Sequence, residues 1–345
     1  MNLKTEITKI HYDKNAKGLF FKFLKFCSLF YAIGSGFKNF LYDKKILNPT
    51  KVDAYVISVG NLTTGGVGKT PIVAEIARYF VDKGERVAII SRGYGGKLNN
   101  KKVNIISDGI NLYYKADMAG DEPYWLAVNL NMCAVLTCAN RVKAAKSAIK
   151  ELGITKIILD DGFQHRKIYR DLDIVLADSE KMFGNENLLP AGPLREGLEG
   201  FNRIDKFVIV SKNVDHTRAE KLAKIMAKKQ KLDVTVAKVE PDYVYNIISG
   251  EHLEKGAEIT ALSAIGQPEQ FYNFLKDDYK IKAKITFDDH HQYIVEDVKD
   301  IKGNIITTEK DAVKLALLGF TNIYALRLKT VIDVEKLCYT KEEIK

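Results

Sequence analysis

Apolar positions follow two different periods along this chain. In "KGLFFKFLKFCSLFYAIGSGFKNFL", Lys17 to Leu41, the residues Leu19, Phe20, Phe23, Leu24, Phe26, Cys27, Phe30 and Tyr31 recur at helical spacing, with Lys22 and Lys25 opposite. From residue 51 onward, short apolar runs bounded by turn residues alternate with helical stretches. Runs at 54–59, 86–90, 133–137, 156–160, 173–177 and 206–210 read as buried strands, and 71–83, 140–152 and 215–230 as helices between them. That alternation implies an α/β fold with a parallel sheet flanked by helices. Next, "VTVAKVEPDYVYNIISGEHLEKG" offers two strands with a turn at Glu240-Pro241-Asp242, a β-hairpin-like connector. "EITALSAIG", a helix from Pro268, "KAKITF", "NIITT" and "NIYAL" predict a smaller C-terminal α/β unit. The expected organisation is a helical arm over 1–50, a larger domain over 51–240, a β connector over 241–258 and a small domain over 259–345.

Charge sharpens the picture of the arm. Residues 1–50 hold nine lysines against Glu6, Asp13 and Asp43, so +6 of the chain's net +9 lies there and the body is nearly balanced. The longest uncharged run, Phe26 to Phe37, has 12 residues, against about 20 for a bilayer span. A transmembrane helix is therefore not expected. Two readings stand: a core helix packed on the domain behind it, or a helix lying in a membrane interface, aromatic side down, lysines near anionic headgroups. No secretory signal is expected, since no small-residue cleavage site follows the apolar stretch. Cys27, Cys133, Cys138 and Cys338 have neither metal-ligand spacing nor a disulfide pattern, which points to a reducing compartment.

The chemistry begins at "GNLTTGGVGKTP", Gly60 to Pro71. "AYVISVG" before it reads as a strand and "PIVAEIARYFVDKG" after it as a helix, with Ile72, Ile76 and Phe80 on one face. Pro71 suits a first helical turn and Gly84 a C-cap. Strand, glycine loop, Lys-Thr and helix is the setting of a phosphate-binding P-loop. Gly65, Gly66 and Gly68 let backbone N–H groups turn inward around phosphate oxygens, and the helix N-terminus adds partial positive charge. Lys69 is expected to reach the β- and γ-phosphates, and the Thr70 hydroxyl a Mg²⁺ ion. The general pattern G-x-x-x-x-G-K-[ST] has its first glycine where this chain has Thr63. "TKIILDDGFQH" supplies the acids: an apolar run ending in Asp160 and Asp161, adjacent carboxylates that a nearby cation would reconcile. For a proton acceptor there are two candidates. One is Asp121 with Glu122 in "AGDEPYW", which by composition also reads as an ordinary turn. The other is "FDDHHQY", Phe287 to Tyr293. Arg92, in "SRGYGG", could meet an anionic group. In "TTEKDAVK", Thr308, Lys310 and Asp311 could meet nucleotide or close a cleft, or simply cap a helix.

"SVGNLTTGGVGKTP", "ISRGYGG", "GDEP", "ANRVKAA", "LDDGFQHRKIYRDLDIVLAD", "LLPAGPLRE", "ALSAIGQPEQF", "FDDHHQY" and "TEKDAVK" occur in this order. Together they resemble the tetraacyldisaccharide 4'-kinase family, the lipid A 4'-kinases, from about residue 17 to about 315. The resemblance implies an ATP-dependent kinase that phosphorylates the 4'-hydroxyl of a lipid A disaccharide 1-phosphate, giving lipid IVA, at the cytoplasmic face of the inner membrane. It implies ATP and Mg²⁺ as cofactors and a P-loop NTPase-like fold. Thr63, Thr64, Gly65, Gly66, Val67, Gly68, Lys69 and Thr70 would form the nucleotide loop, with the family threonine at 63. Asp121 would be the base and His290 its partner, although Asp288 stands where many members have proline, so that His291 also remains a candidate. Asp160 and Asp161 would be metal and catalytic acids, with Gln164 and His165 near the phosphates. Arg195 and Glu196 would lie at the reacting phosphate, Glu196 with the metal. Asn140, Arg141 and Arg92 are expected on the lipid substrate. A four-chain acceptor held in a bilayer gives the basic aromatic arm a purpose.

Two other functions compete. Switch ATPases with a "GGVGKT" loop usually carry a second lysine early in the loop, where this chain has Thr64. A nucleic-acid-binding module is suggested by the isoelectric point near 9.0, but the excess charge sits among phenylalanines rather than along a groove-sized face, so no nucleic-acid partner is expected.

Overall fold

A computed structural model describes residues 3–266, 268–289 and 291–339. Two helices come first, α1 (Leu3–Tyr12) and α2 (Leu19–Asp43). The body then runs β1 (Tyr55–Asn61), α3 (Lys69–Asp82), β2 (Val87–Ser91), β3 (Asn104–Ser107), α4 (Ala116–Ala119), α5 (Asp121–Asn129), β4 (Cys133–Thr137) and α6 (Arg141–Leu152). It continues through β5 (Lys156–Asp160), β6 (Leu172–Asp178), β7 (Lys206–Ser211), α7 (Thr217–Gln230) and β8 (Asp233–Asn246). The C-terminal part holds β9 (Glu258–Ser263), α8 (Pro268–Leu275), β10 (Lys280–Thr286), β11 (Asn304–Thr308), α9 (Glu309–Leu315), β12 (Ile323–Val331) and α10 (Val334–Cys338).

Among the described residues, twelve strands join in one sheet, ordered β10-β9-β11-β12-β8-β7-β6-β1-β5-β2-β4-β3. From β8 to β4 every neighbour is parallel, as the strand–helix alternation predicts, and β3 closes that end antiparallel to β4. The central strands are buried along nearly their whole length. Helix α3 packs on them through Ile72, Ile76 and Phe80. One glycine is sterically obligatory here. A Cβ on Gly60 would lie 2.6 Å from the Phe163 Cβ, so only glycine lets the end of β1 pass the turn that follows β5.

The expected turn at Glu240-Pro241-Asp242 is not there. A single strand, β8, runs through it, parallel to β7 over Asp233–Lys238 and antiparallel to β12 from Lys238 to Asn246. Pro241 is tolerated because β7 has already ended at Ser211 opposite Lys238, and because the ladder to β12 is irregular just there, between Leu326 and Leu328. The chain reverses later, around Ile247–Gly250, where Asn246 N donates to Glu251 O at 2.8 Å and Gly250 N to Asn246 O at 2.9 Å. "AGDEPYW" also differs from its reading as a loop. Gly120, at φ 94°, ends α4, and Asp121 opens α5.

Helix α2 is not a core helix. Leu24 is its one buried apolar residue, while Leu19, Phe23, Phe26, Phe30, Ile33, Phe37 and Phe40 form a solvent-exposed stripe along its length. By length and composition its 25 residues could cross a membrane, but its other side is bound to the body. Ser28 Oγ donates to Leu188 O at 2.9 Å and accepts from Ala191 N at 3.0 Å.

Candidate active site

The end of β1 delivers the chain into the glycine loop. Buried Asn61 donates to Thr63 O, and Thr64 N donates to Pro193 O at 2.7 Å, which pins the loop to the 188–196 segment. Gly65 (φ 106°) and Gly68 (φ 88°) take left-handed conformations that cost other residues free energy. Val67 sends its side chain into the core, so what it offers a ligand is its backbone. Nothing lies within 4 Å of the Gly66 Cβ position, which leaves the loop backbone open to an incoming group. Two side chains brace the loop from outside: Tyr12 Oη donates to Thr64 O at 3.3 Å and Lys212 Nζ to Gly66 O at 2.6 Å.

Lys69 and Thr70 open α3, with Gly68 as the cap residue. The Lys69 ammonium donates to Asn61 Oδ1 at 3.0 Å and lies 3.2 Å from Asp161 Oδ1. Asp161 stands at φ 56° just after β5, and Arg195 Nη1 clasps both its carboxylate oxygens at 2.8 Å. Burial alone would push the Asp161 carboxyl up, but Lys69 and Arg195 outweigh it and hold it below the ordinary range.

Asp160, one residue earlier, is in the opposite situation. Burial pushes its carboxyl up to about 7, the charges of Glu122 and Asp161 add to that, and Lys69 opposes it. Its Oδ1 is buried with no hydrogen-bond partner. An orphaned carboxylate oxygen beside a phosphate loop is the donor a divalent cation would satisfy, so the residues fit Mg²⁺. Among the described residues no group of three or more His, Cys, Asp or Glu could hold a metal. Mg²⁺ at phosphate sites commonly takes only one or two carboxylates from the protein.

The remaining expected residues divide. Gln164 is in the site: its Nε2 donates to Asn61 O at 2.9 Å and to Glu196 Oε1 at 3.0 Å. Glu196 is buried, and its other oxygen accepts from Arg203 and, at 3.0 Å, from Asn39 on α2. Its carboxylate thus meets three donors. Asn140 caps α6 by accepting from Lys143 N. Arg141 is 3% exposed and donates to Cys138 O at 2.7 Å and Asp160 O at 3.4 Å, so as it stands here it holds the body together. Arg92 is exposed, its guanidinium 5.2 Å from the Tyr94 ring centre. His165 is lowered to about 4, first by burial and then by Arg141, Lys38 and other cations, and its Nε2 is unpartnered.

Asp121, first residue of α5, pairs through Oδ2 with Lys314 of α9 at 3.2 Å. His290 lies outside the described residues. His291 turns elsewhere: its Nε2 is 2.9 Å from Asp297 Oδ2, and its ring stacks on Phe287 with centroids 4.4 Å apart. In "TTEKDAVK" the capping reading holds. Thr308 Oγ1 accepts from Asp311 N at 3.1 Å, and Asp311 Oδ2 accepts from Ala264 N at 2.9 Å. Lys310 Nζ pairs with Asp289 at 3.3 Å.

Sequence reading missed Asn61, Lys212 and Lys314. Lys314 had a signal: in α9 it shares the buried face with Asp311, Ala312 and Leu315, and a lysine on a buried face needs a partner. The contacts of α2 with the site were missed as well. Tyr31 Oη donates to Arg195 O at 2.8 Å and Lys38 Nζ to Gln164 O at 2.9 Å.

Comparison with known proteins identifies the chain's relatives. The LpxK family, described as tetraacyldisaccharide-1-P 4'-kinase, matches residues 20–341. A tetraacyldisaccharide 4'-kinase from Syntrophus aciditrophicus is 34% identical over 340 residues, covering 92% of this chain and 91% of that protein. One from Francisella tularensis subsp. novicida is 35% identical over 300 residues, covering 84% of this chain and 89% of the relative. A crystal structure of LpxK from Aquifex aeolicus in complex with ATP superposes with TM-score 0.71 at 33% identity, covering 90% of this chain and 94% of that one.

Proposed function

The chain belongs to the tetraacyldisaccharide 4'-kinase family, ATP-dependent phosphotransferases that act on a hydroxyl in lipid A biosynthesis, and we propose how its residues divide that work. The observation that carries the proposal is the Lys69–Asp161–Arg195 ionic chain laid across a phosphate loop at a helix N-terminus. The N–H groups of the loop from Gly65 to Thr70 receive the nucleotide's phosphates, while Thr63 and Thr64, held to the 188–196 segment, fix the loop's start. Lys69 exchanges Asp161 for the β- and γ-oxygens. Thr70 and Asp160, whose Oδ1 has no hydrogen-bond partner, would hold Mg²⁺, which would supply charge neutralisation for the transfer. Arg195 contacts the transferred phosphoryl group, and Gln164 and Glu196 keep Arg195 and the loop in register.

Asp121 accepts the proton of the acceptor's 4'-hydroxyl as its oxygen bonds to phosphorus and ADP leaves. His290 is the expected partner of that carboxylate. Arg92, exposed on the loop after β2, is available to an anionic group of the acceptor. The part of the chain before β8 acts as the nucleotide-binding domain and the C-terminal unit from β9 onward as the domain that closes on the acceptor, with β8 carrying the sheet from one to the other. The exposed stripe of α2 lies in the membrane interface at the cytoplasmic face, where a four-chain lipid and ATP are both within reach.

Incubation with ATP and detergent-solubilised tetraacyl disaccharide 1-phosphate tests this reading. Each ATP consumed should add one phosphoryl group to the lipid, read by mass spectrometry. Free phosphate with an unmodified lipid would favour a switch ATPase.

A further inference from the structure

Helix α9 buries Asp311, Ala312, Lys314 and Leu315. Three of these are explained by packing or capping, and Lys314 is not. Its side chain is 7% exposed, and the Asp121 carboxylate that it meets at 3.2 Å is 20% exposed. The same ammonium donates to His291 O at 3.1 Å. A buried ammonium is costly unless its donors are matched, and here one group ties three separate segments together. They are the first residue of α5, the 287–293 loop after β10, and α9 itself. The first belongs to the half of the sheet that carries the phosphate loop, and the other two belong to the C-terminal unit.

We propose that Lys314 is a positioning residue for phosphoryl transfer, fixing Oδ2 of Asp121 and joining that carboxylate to the histidine-bearing loop of the C-terminal unit. The proposal rests on the reading of Asp121 as the base. An ammonium has three donors on a flexible stem; here it donates to His291 O in the C-terminal unit and forms an ion pair with Asp121 in the other half. Lys314 therefore sets the distance between the two sides as well as the direction of the carboxylate. A displacement of about 1 Å in such a group can cost about a hundredfold in rate.

A double-mutant cycle with Lys314→Met and Asp121→Asn, read as kcat and as KM for ATP, tests it. Lys314→Met should lower kcat about tenfold to a hundredfold and leave KM for ATP nearly unchanged. In the Asp121→Asn background the same substitution should cost almost nothing further. A wild-type kcat for Lys314→Met, or the full single-mutant loss repeated in Asp121→Asn, overturns the proposal, since a merely structural strut would act additively. Lys314→Arg covers the case in which Lys314→Met does not fold. It keeps the charge and should retain more activity, again with its loss absent beside Asp121→Asn; a loss that persists there overturns the proposal. A near-wild-type kcat for Asp121→Asn alone is a different failure: it removes the base assignment and the proposal with it.

Discussion

Lys69 is held by two neighbours, Asn61 and Asp161, that a triphosphate must displace. In phosphoryl transfer, charge neutralisation and positioning supply most of the acceleration. Lys69→Ala should therefore lower kcat/KM more than Asp121→Ala does. For Asp121→Ala, steady-state kinetics should give a kcat about 10² to 10⁴-fold lower with KM for ATP nearly unchanged; a large rise in that KM would make Asp121 a nucleotide ligand. His165 carries a pH signature. Its folded value, about 4, lies below the ordinary 6.5, so the unfolded chain binds the proton first. Its contribution to stability is thus complete above about pH 6.5 and is lost as pH falls toward 4. Thermal melts across that window should fall less steeply for His165→Gln than for the wild type, and equal slopes would contradict the assignment. Lys69, Thr70, Asp160 and Asp161 were legible in the sequence because loop, helix start and strand end are local patterns. The clasp of Arg195 on Asp161 and the pairing of Lys314 with Asp121 depend on how distant segments meet, which periodicity does not carry. The burial of the Arg141 guanidinium against Cys138 O is hidden for the same reason, since no local pattern reports it.

Helix α2 shows most clearly what an element's pattern contains. Its period gave the helix and its apolar face, but not which face would touch the body. The structure leaves Phe23, Phe26, Phe30 and Phe37 outward and turns Ser28, Tyr31, Lys38 and Asn39 toward the segment and turn that carry Arg195, Glu196 and Gln164. Burying one such ring is worth about 1.5 to 3 kcal/mol. Replacing Phe26, Phe30 and Phe37 by Glu should reduce vesicle partitioning by at least ~100-fold in a flotation assay, and undiminished flotation would rule out the interfacial placement. β8 taught a different lesson. Pro241 between polar neighbours reads as a turn by local rules, yet one flank had lost its partner strand and the other was irregular, so the strand continued. A proline is legible as a breaker only when its neighbours in the sheet are known.

Across the whole molecule, alternation predicted the parallel sheet but not that the C-terminal unit would extend the same sheet through the antiparallel β8–β12 pair. Under the proposed closure, that continuity would place the bending near the irregular stretch of β12 rather than in a flexible linker. Small-angle scattering should show a smaller radius of gyration with an ATP analogue and acceptor together than without them; superimposable curves would argue against closure. The central claim is that a nest of glycine N–H groups, with Lys69 at its mouth, receives the triphosphate that Asp121 helps to transfer. A crystal structure with Mg²⁺ and a nonhydrolysable ATP analogue tests it most directly. The account predicts Lys69 Nζ on the β- and γ-phosphate oxygens and released from Asp161, with the metal at Asp160. Lys69 still paired with Asp161, and the triphosphate bound elsewhere, would contradict it.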